Sequence, residues 1–151
     1  MDTPKSRSHL MKRASLILVC LALLVLGGHR IADANKSINA TLTGAAETAG
    51  GDPDGSGTAI IQLSPATNQV CFSLDVSNIA PATGAQIVQG PAGSDGTVVV
   101  TLTAPTNGSS IGCVTVDSAL LKDIMQHPEN YYVNVLNADY PAGAIRGQLS
   151  R

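Results

Sequence analysis

Side chains that could catalyse a reaction are scarce in this sequence of 151 residues. After residue 34 it contains one histidine, His127, and no Gly-x-Ser-x-Gly turn that would present a serine nucleophile to it. The acidic residues fall in turns rather than in pairs along one strand, which is not the arrangement of a glycosidase. We therefore expect no catalytic residues and no enzyme. Because His127 precedes Pro128, its expected role is to cap the last carbonyls of a helix.

One acidic turn offers oxygen ligands for a cation. The segment 52–57, Asp-Pro-Asp-Gly-Ser-Gly, places oxygen atoms at the first, third and fifth positions of a calcium-type loop. The position that should hold a bidentate glutamate is Leu63, and a hairpin turn explains the same residues. We expect no metal and no cofactor, with calcium at 52–57 as the open alternative.

The first 34 residues are typical of an export signal. Four basic residues precede an apolar run over 14–28, and Ala32-Asp33-Ala34 supplies small residues at the two positions that a signal peptidase recognises. The run is shorter than the roughly 20 residues of a membrane anchor. We expect 1–34 to be a signal peptide and 35–151 to be one secreted domain, extracellular or periplasmic. Retention as an anchor is the alternative.

Charge narrows the choice of partner. Residues 35–151 contain four Lys or Arg and nine Asp or Glu, which leaves a net charge of −5. An acidic domain is poorly suited to nucleic acid or to anionic lipid. We expect no nucleic-acid partner and no membrane contact after cleavage; the expected partner is an unknown extracellular protein or surface.

Cys71 and Cys113 are the two cysteines of the predicted domain. Export to an oxidising compartment makes pairing the default for an even number of cysteines. A metal-binding or redox pair would show a C-x-x-C spacing, which this sequence lacks. The predicted disulfide closes a loop of about 43 residues. Because it reduces the entropy of the unfolded chain, it should stabilise the fold by about 4 kcal/mol.

Apolar residues alternate with a period of two along most of the domain, as in half-buried strands. Segments rich in Gly, Pro, Asn and Asp separate the alternating runs. The pattern predicts eight strands, near 37–43, 57–64, 69–76, 84–89, 96–103, 111–116, 131–137 and 144–149. It indicates an antiparallel β-sandwich.

One segment has helical spacing instead. Leu120, Leu121, Ile124 and Met125 fall on one helical face, and Asp117 before them is a good N-cap. The sequence therefore predicts one short helix crossing between strands and ending at Pro128.

Several segments occur in the order and spacing of a known family. They are 40–47 (ATLTGAAE), 55–59 (GSGTA), 70–71 (VC) with 112–114 (GCV), 96–100 (GTVVV), and the ending 131–135 (YYVNV) with 140–149 (YPAGAIRGQL). Together they resemble the CHRD domain, first recognised in chordin and common in secreted bacterial proteins, over 38–150. The resemblance implies an antiparallel Greek-key β-sandwich or barrel, somewhat similar to copper/zinc superoxide dismutase. It also implies an extracellular setting and no established enzymatic activity.

Three positions depart from the family pattern. Many bacterial members carry histidines, which could converge on a metal, where this chain has Gln86, Val88 and Leu136. An amide is a poor transition-metal ligand and an aliphatic side chain is none, so we expect no metal there. Val88 and Leu136, if they lie together at the surface, would form a patch for protein contact.

A structural ion pair is also expected. Glu47 ends the first family segment, and Arg146 lies in the last strand with Ile145 and Leu149 on the opposite face. In a charge-poor chain the two are candidates for an inter-strand pair that joins both ends of the domain. The alternative is that both side chains are solvated.

Two functions follow from these observations. The leading prediction is a secreted, non-catalytic CHRD-domain protein that serves as a protein-binding or structural module. The alternative is a metal-handling protein related to the copper/zinc superoxide dismutase sandwich, and the missing histidines favour the first.

Overall fold

Strands supply most of the regular structure. The computed structural model describes residues 35–151, and the predicted signal segment 1–34 lies outside these described residues. The strands are β1 (Lys36–Thr43), β2 (Ser56–Ser64), β3 (Gln69–Ser77), β4 (Ala82–Gln89), β5 (Thr97–Leu102), β6 (Ser109–Thr115), β7 (Tyr131–Asn137) and β8 (Ile145–Gln148). One helix, α1 (Ser118–Gln126), lies between β6 and β7, and 3-10 turns span Gly44–Ala46 and Pro128–Asn130. All eight strands begin and end within two residues of their predicted bounds.

The strands form one antiparallel sheet in the order β5-β4-β7-β8-β1-β2-β3-β6. The connections from β3 to β4 and from β6 to β7 cross between distant strands, as in a Greek key. The edge strands β5 and β6 approach each other, so the sheet curls into a nearly closed barrel. The predicted Greek-key sandwich or barrel is confirmed.

Alternating side chains fill the interior of the barrel. On β1, Ile38, Ala40 and Leu42 point inward and are buried, while the residues between them are exposed. Ile38 is in register with Ile61 of β2, which is in register with Phe72 of β3. Burying each such large side chain stabilises the fold by about 1.5–3 kcal/mol. Contacts among the buried side chains of the inner face therefore stabilise the barrel. The side chains of the outer face are available to contact other molecules.

The helix α1 begins as the sequence predicts. The Asp117 carboxylate accepts a hydrogen bond from the Ala119 backbone N–H at 2.7 Å, which satisfies a donor that the first helical turn leaves free. Leu121 and Ile124 are buried in the core. Among the described residues there is no helix of the length and apolarity that crossing a membrane requires.

His127 is the C-cap residue of α1, and its backbone N–H donates to the Asp123 carbonyl at 2.8 Å. Arg151 and Lys36 donate hydrogen bonds to the carbonyls of the last two helical residues. Their positive charges are favoured there by the partial negative charge of a helix C-terminus. The His127 imidazole lies 3.7 Å from the Glu129 carboxylate instead. The predicted cap is therefore formed by the backbone of His127, and the side chains of Arg151 and Lys36, rather than the imidazole, bind the last two carbonyls.

The acidic turn at 52–57 is closed by its own hydrogen bonds. The Asp52 carboxylate accepts from the Asp54 N–H at 3.2 Å, and the Gly55 N–H donates to the Asp52 carbonyl at 3.1 Å. Leu63, at the position of the calcium-type glutamate, is buried in the core. These local hydrogen bonds close the turn, and the calcium alternative at 52–57 stays a prediction.

Cys71 and Cys113 form the predicted disulfide. They lie directly opposite each other on β3 and β6, and their sulfur atoms are 2.08 Å apart. Since β3 is the strand that pairs with β6 in the sheet, the bond fixes an edge strand to the body of the barrel.

Candidate functional site

The family positions in the middle of β4 lie on the outer face of the barrel. Gln86 is directly opposite Asn134 of β7, and Val88 is directly opposite Tyr132. Ile87, between the two β4 positions, points into the core. The outer face of this strand pair therefore carries polar and aromatic side chains.

The three family positions do not form one surface patch. Leu136 lies opposite Gly84, so Gln86 is its diagonal neighbour on the outer face. Val88 is four residues from Gly84, roughly 13 Å along the strand. Val88 is 3% exposed, whereas Leu136 is half-buried. Val88 and Leu136 thus do not lie together as an exposed apolar surface, and Gln86 stands between them.

The β4–β5 loop (91–96) lies against this outer face and is tied to β8. The Arg146 guanidinium donates to two carbonyl groups of the loop, at 2.7 and 3.3 Å. The Thr48 hydroxyl donates to the Asp95 carboxylate from the other side. These contacts hold the loop beside the sheet.

Arg146 is buried, with 2% of its surface exposed. β8 places it opposite Asn134, and its guanidinium carbon lies 3.6 Å from the centre of the Tyr132 ring. Its Nη1 is 3.6 Å from an Asp95 carboxylate oxygen. Within 35–151 no ion pair of this kind joins Arg146 to Glu47, although the two charges still influence each other. Asp95 is thus the direct acidic neighbour of Arg146, in the place predicted for Glu47.

Glu47 follows the Gly44–Ala46 turn, and its carboxylate rests on Gly143. A Cβ atom at position 143 would lie 2.5 Å from both carboxylate oxygens, so any larger residue there would have to move the Glu47 side chain. The Oε1 atom is buried and has no hydrogen-bond partner among the described residues. Burial raises the pKa of the Glu47 carboxyl to about 7; Arg146 opposes this rise and Asp95 adds to it.

Asn134 is a buried polar residue in the apolar strand β7, with 7% of its surface exposed. Its Nδ2 donates to the Ala142 carbonyl at 3.0 Å. This bond sets the orientation of the amide and leaves Oδ1 as the free acceptor. Oδ1 is buried without a hydrogen-bond partner in the described part of the chain.

Glu47 and Asn134 line a single cleft of about 210 Å³, which we call the polar cleft. It is lined by Glu47, Thr48, Ala49, Gln86, Val88, Asp95, Gly96, Val98, Tyr132, Asn134, Ala142 and Gly143. Within 35–151, four buried side-chain polar atoms lack a partner; two belong to these lining residues, and a third is Nη1 of Arg146 beside Asp95. Folded proteins rarely leave such atoms unpaired. The walls of the cleft therefore hold hydrogen-bonding capacity that the described residues do not use.

The same region does not gather ligands for a metal. Residues 35–151 contain no group of three or more His, Cys, Asp or Glu side chains placed to hold a metal ion. At the cleft the two carboxylates, Glu47 and Asp95, lie near the positive charge of Arg146. The chemistry available here is hydrogen bonding and ion pairing.

Sequence reasoning identified part of this cleft. Glu47, Gln86 and Val88 were singled out. Asn134, Asp95 and Tyr132 were not recognised as lining residues. Asn134 interrupts an apolar run in β7, which is a signal that could have been used. Asp95 lies in a Gly-rich turn, where an aspartate is ordinary and carries no signal.

Comparison with known proteins identifies the family. The family profile described as CHRD domain matches residues 38–149. Neither the curated proteins nor the solved structures give a significant match to the chain. CHRD domains are modules of extracellular type that are not known as enzymes, and a disulfide fits that setting. The match covers most of the chain and nearly all of the barrel, and the chain therefore belongs to the CHRD domain family.

Proposed function

We propose that the protein is a secreted, non-catalytic module that binds an extracellular protein partner through the polar cleft. The observation that carries the proposal is the pair of buried acceptors, Glu47 Oε1 and Asn134 Oδ1, without hydrogen-bond partners in one cleft. Leaving a buried polar atom unpaired costs about 1–3 kcal/mol, and a bound group that donates hydrogen bonds would recover that cost.

The size of the cleft favours a protein partner. Sites for small molecules usually enclose about 300–1,000 Å³, and the polar cleft encloses about 210 Å³. That volume suits one side chain inserted from a neighbouring protein surface. The extracellular type of the family and the disulfide support secretion.

A capture experiment with matched variants tests the proposal. The purified protein, its Glu47→Met variant and its Glu129→Met variant are immobilised and exposed to the secreted proteins of the native host. Glu129 is an exposed glutamate outside the cleft, so its replacement makes the same chemical change elsewhere. We expect a partner that the wild type and Glu129→Met retain and Glu47→Met loses. Equal retention by all three proteins would show that binding does not use the cleft.

A further inference from the structure

We propose that the polar cleft receives a primary ammonium group at the end of an alkyl chain, as in the lysine side chain of a protein partner. This inference rests on the binding role proposed above and names the chemistry that would be recognised. Three properties of the cleft carry it: its acceptors, its apolar wall and its balance of charge.

The acceptors match the three donors of an ammonium group. Glu47 Oε1 and Asn134 Oδ1 are buried and unpaired, and Gln86, directly opposite Asn134, adds a carboxamide group to the lining of the cleft. An ammonium group has three N–H donors and no acceptor, so three oxygen atoms can satisfy it completely. A carboxylate would offer only acceptors to these two unpaired oxygen atoms and would leave both without a donor.

An apolar wall adjoins the acceptors. Val88, Val98 and the Tyr132 ring line the cleft beside the polar groups. A bulge in the β4–β5 pairing brings Val98 opposite Val88, and Val98 is 50% exposed. Long cationic side chains bury their methylene stems against apolar surface while the charged head contacts polar groups. The wall therefore suits the alkyl stem of a lysine.

The balance of charge favours a cation. The ionisable residues that line the cleft are Glu47, Asp95 and Tyr132, and none of its lining residues is a Lys or Arg. Arg146, packed on Tyr132, lies nearest to Asp95 and offsets that carboxylate. The Glu47 charge is then left without a direct counter-ion in the described residues. The net charge of −5 over residues 35–151 adds a general attraction for a cationic surface.

Binding should depend on pH through Glu47. The charged and titratable groups that act on it are Arg146 from β8, Asp95 from the β4–β5 loop and Tyr132 from β7. The pKa of Glu47 is raised to about 7, so its carboxyl is mostly protonated at pH 6. It must release this proton before it can pair with an ammonium group. We expect the affinity to be roughly tenfold weaker at pH 6 than above pH 8.

NMR titration of the full protein with three small probes tests the ligand class. Butylammonium, butyrate and butyramide share an alkyl chain and differ in the polar group. We expect butylammonium to shift the side-chain amide signals of Asn134 and Gln86 at the lowest concentration. Glu47→Met should weaken its binding by about tenfold or more, because a hydrogen bond to a charged group is lost. Glu129→Met should leave the affinity unchanged, and Glu47→Gln should remove most of the pH dependence.

Two peptide probes distinguish a protein side chain from a free amine. They are a blocked tripeptide with a central lysine and the same peptide with acetyl-lysine, which lacks the charge. Tighter binding of the lysine peptide than of butylammonium, with loss on acetylation, would support a protein partner. Equal binding of the lysine peptide and butylammonium would support the ammonium class with a free amine as its source.

The outcomes that overturn this inference differ from those that overturn the binding role. If butyrate or butyramide shifts the cleft signals at lower concentration than butylammonium, or if calcium displaces butylammonium from the cleft, the ligand class is wrong. If none of the probes shifts these signals while the capture experiment still yields a partner sensitive to Glu47→Met, the ammonium assignment fails and the binding role stands. If neither experiment depends on Glu47, both proposals fail.

Discussion

Glu47 keeps its place in the polar cleft because Gly143 has no side chain. The carboxylate rests directly on the glycine backbone, half-buried and without a hydrogen bond to its Oε1. Two consequences of this contact can be measured, one from the proton that Glu47 binds and one from the space that Gly143 leaves.

The first prediction is that Glu47 makes the fold less stable as the pH rises. Its pKa is raised from 4.5 to about 7 on folding, so between these values the folded state binds more protons than the unfolded state. The contribution of Glu47 to the free energy of unfolding is fully present below pH 4.5 and is lost as the pH rises past 7. Relative to Glu47→Gln, the free energy of unfolding of the wild type should fall by about 1–2 kcal/mol after allowance for solvent screening. Urea denaturation at several pH values measures this difference; a difference that does not change with pH would contradict the prediction.

The second prediction concerns Gly143→Ala. The added Cβ would lie 2.5 Å from the Glu47 carboxylate oxygens and must displace that side chain. We expect a loss of about 1–3 kcal/mol of stability in the wild type. In a Glu47→Ala background the same substitution should cost much less, because the carboxylate is gone. Denaturation of the two single variants and the double variant measures this coupling, and purely additive costs would argue against the contact.

At the scale of elements, Arg146 connects the strand β8 to the β4–β5 loop. It donates to loop carbonyls 52 and 55 residues away in sequence, and it packs on Tyr132 of β7. One side chain thus joins two strands and a loop at the edge of the polar cleft. The loop has few other hydrogen bonds to the barrel in the described residues, so its order depends on this contact.

The third prediction is that Arg146→Met releases this loop. Two hydrogen bonds from a charged donor and the contact with the Tyr132 ring are lost, while Asp95 is exposed and can be solvated. We expect a loss of about 2–4 kcal/mol of stability and faster amide hydrogen exchange over 91–96. Arg151→Met, which removes an arginine at the end of α1, is the matched control and should leave exchange in the loop unchanged. Protection of the loop equal to wild type in Arg146→Met would refute this role.

The fourth prediction concerns the three family positions on β4 and β7. We expect no tight copper or zinc binding by the unmodified protein. In the triple variant Gln86→His, Val88→His, Leu136→His we expect zinc to be held by the central histidine and one neighbour, because positions 88 and 136 are too far apart to share an ion. Since Gln86 stands between the other two, the double variant Val88→His, Leu136→His should bind zinc far more weakly than the triple variant. Calorimetry compares the three proteins. Equal heats for the double and triple variants would show that the central position is not needed.

Several strands could be predicted because they alternate between a buried and an exposed face, a pattern that β1 shows from Ile38 to Leu42. The strand β7 is buried along nearly its whole length, and its β-branched and aromatic residues favour a strand. The disulfide followed from the even number of cysteines in the predicted domain and from the predicted export signal. The polar cleft could not be predicted in the same way, because Glu47, Asn134 and Asp95 come from segments far apart in sequence. Their meeting depends on the loop position and on a glycine contact, and neither has a periodic signal in the sequence.

At the scale of the whole molecule, the disulfide holds the barrel near its open side. β6 is an edge strand, and Cys113 attaches it to Cys71 on β3. The other edge, β5, approaches β6 without forming a full ladder. Loss of the bond should therefore affect the closure of the barrel before it affects the centre of the sheet.

The fifth prediction is that reduction destabilises the protein without unfolding its centre first. Removing a native disulfide from a small secreted domain costs about 2–5 kcal/mol, and we expect a loss in this range. Hydrogen exchange should rise first in β6. Urea denaturation with and without reductant measures the loss, and a thiol assay of the denatured, unreduced protein should detect no free thiol. Two free thiols in that assay would contradict the bond.

The capping of α1 by Lys36 and Arg151 has a further consequence for how this domain can be joined to other chains. Both residues reach the same helix end, and Asn39 and Ser150 exchange backbone hydrogen bonds beside them. The points where the chain enters and leaves the barrel are therefore neighbours. A domain with adjacent entry and exit points tolerates insertion into a surface loop of a host protein, or circular permutation through a short linker. The barrel can accordingly be inserted into another protein while β1 and β8 stay paired.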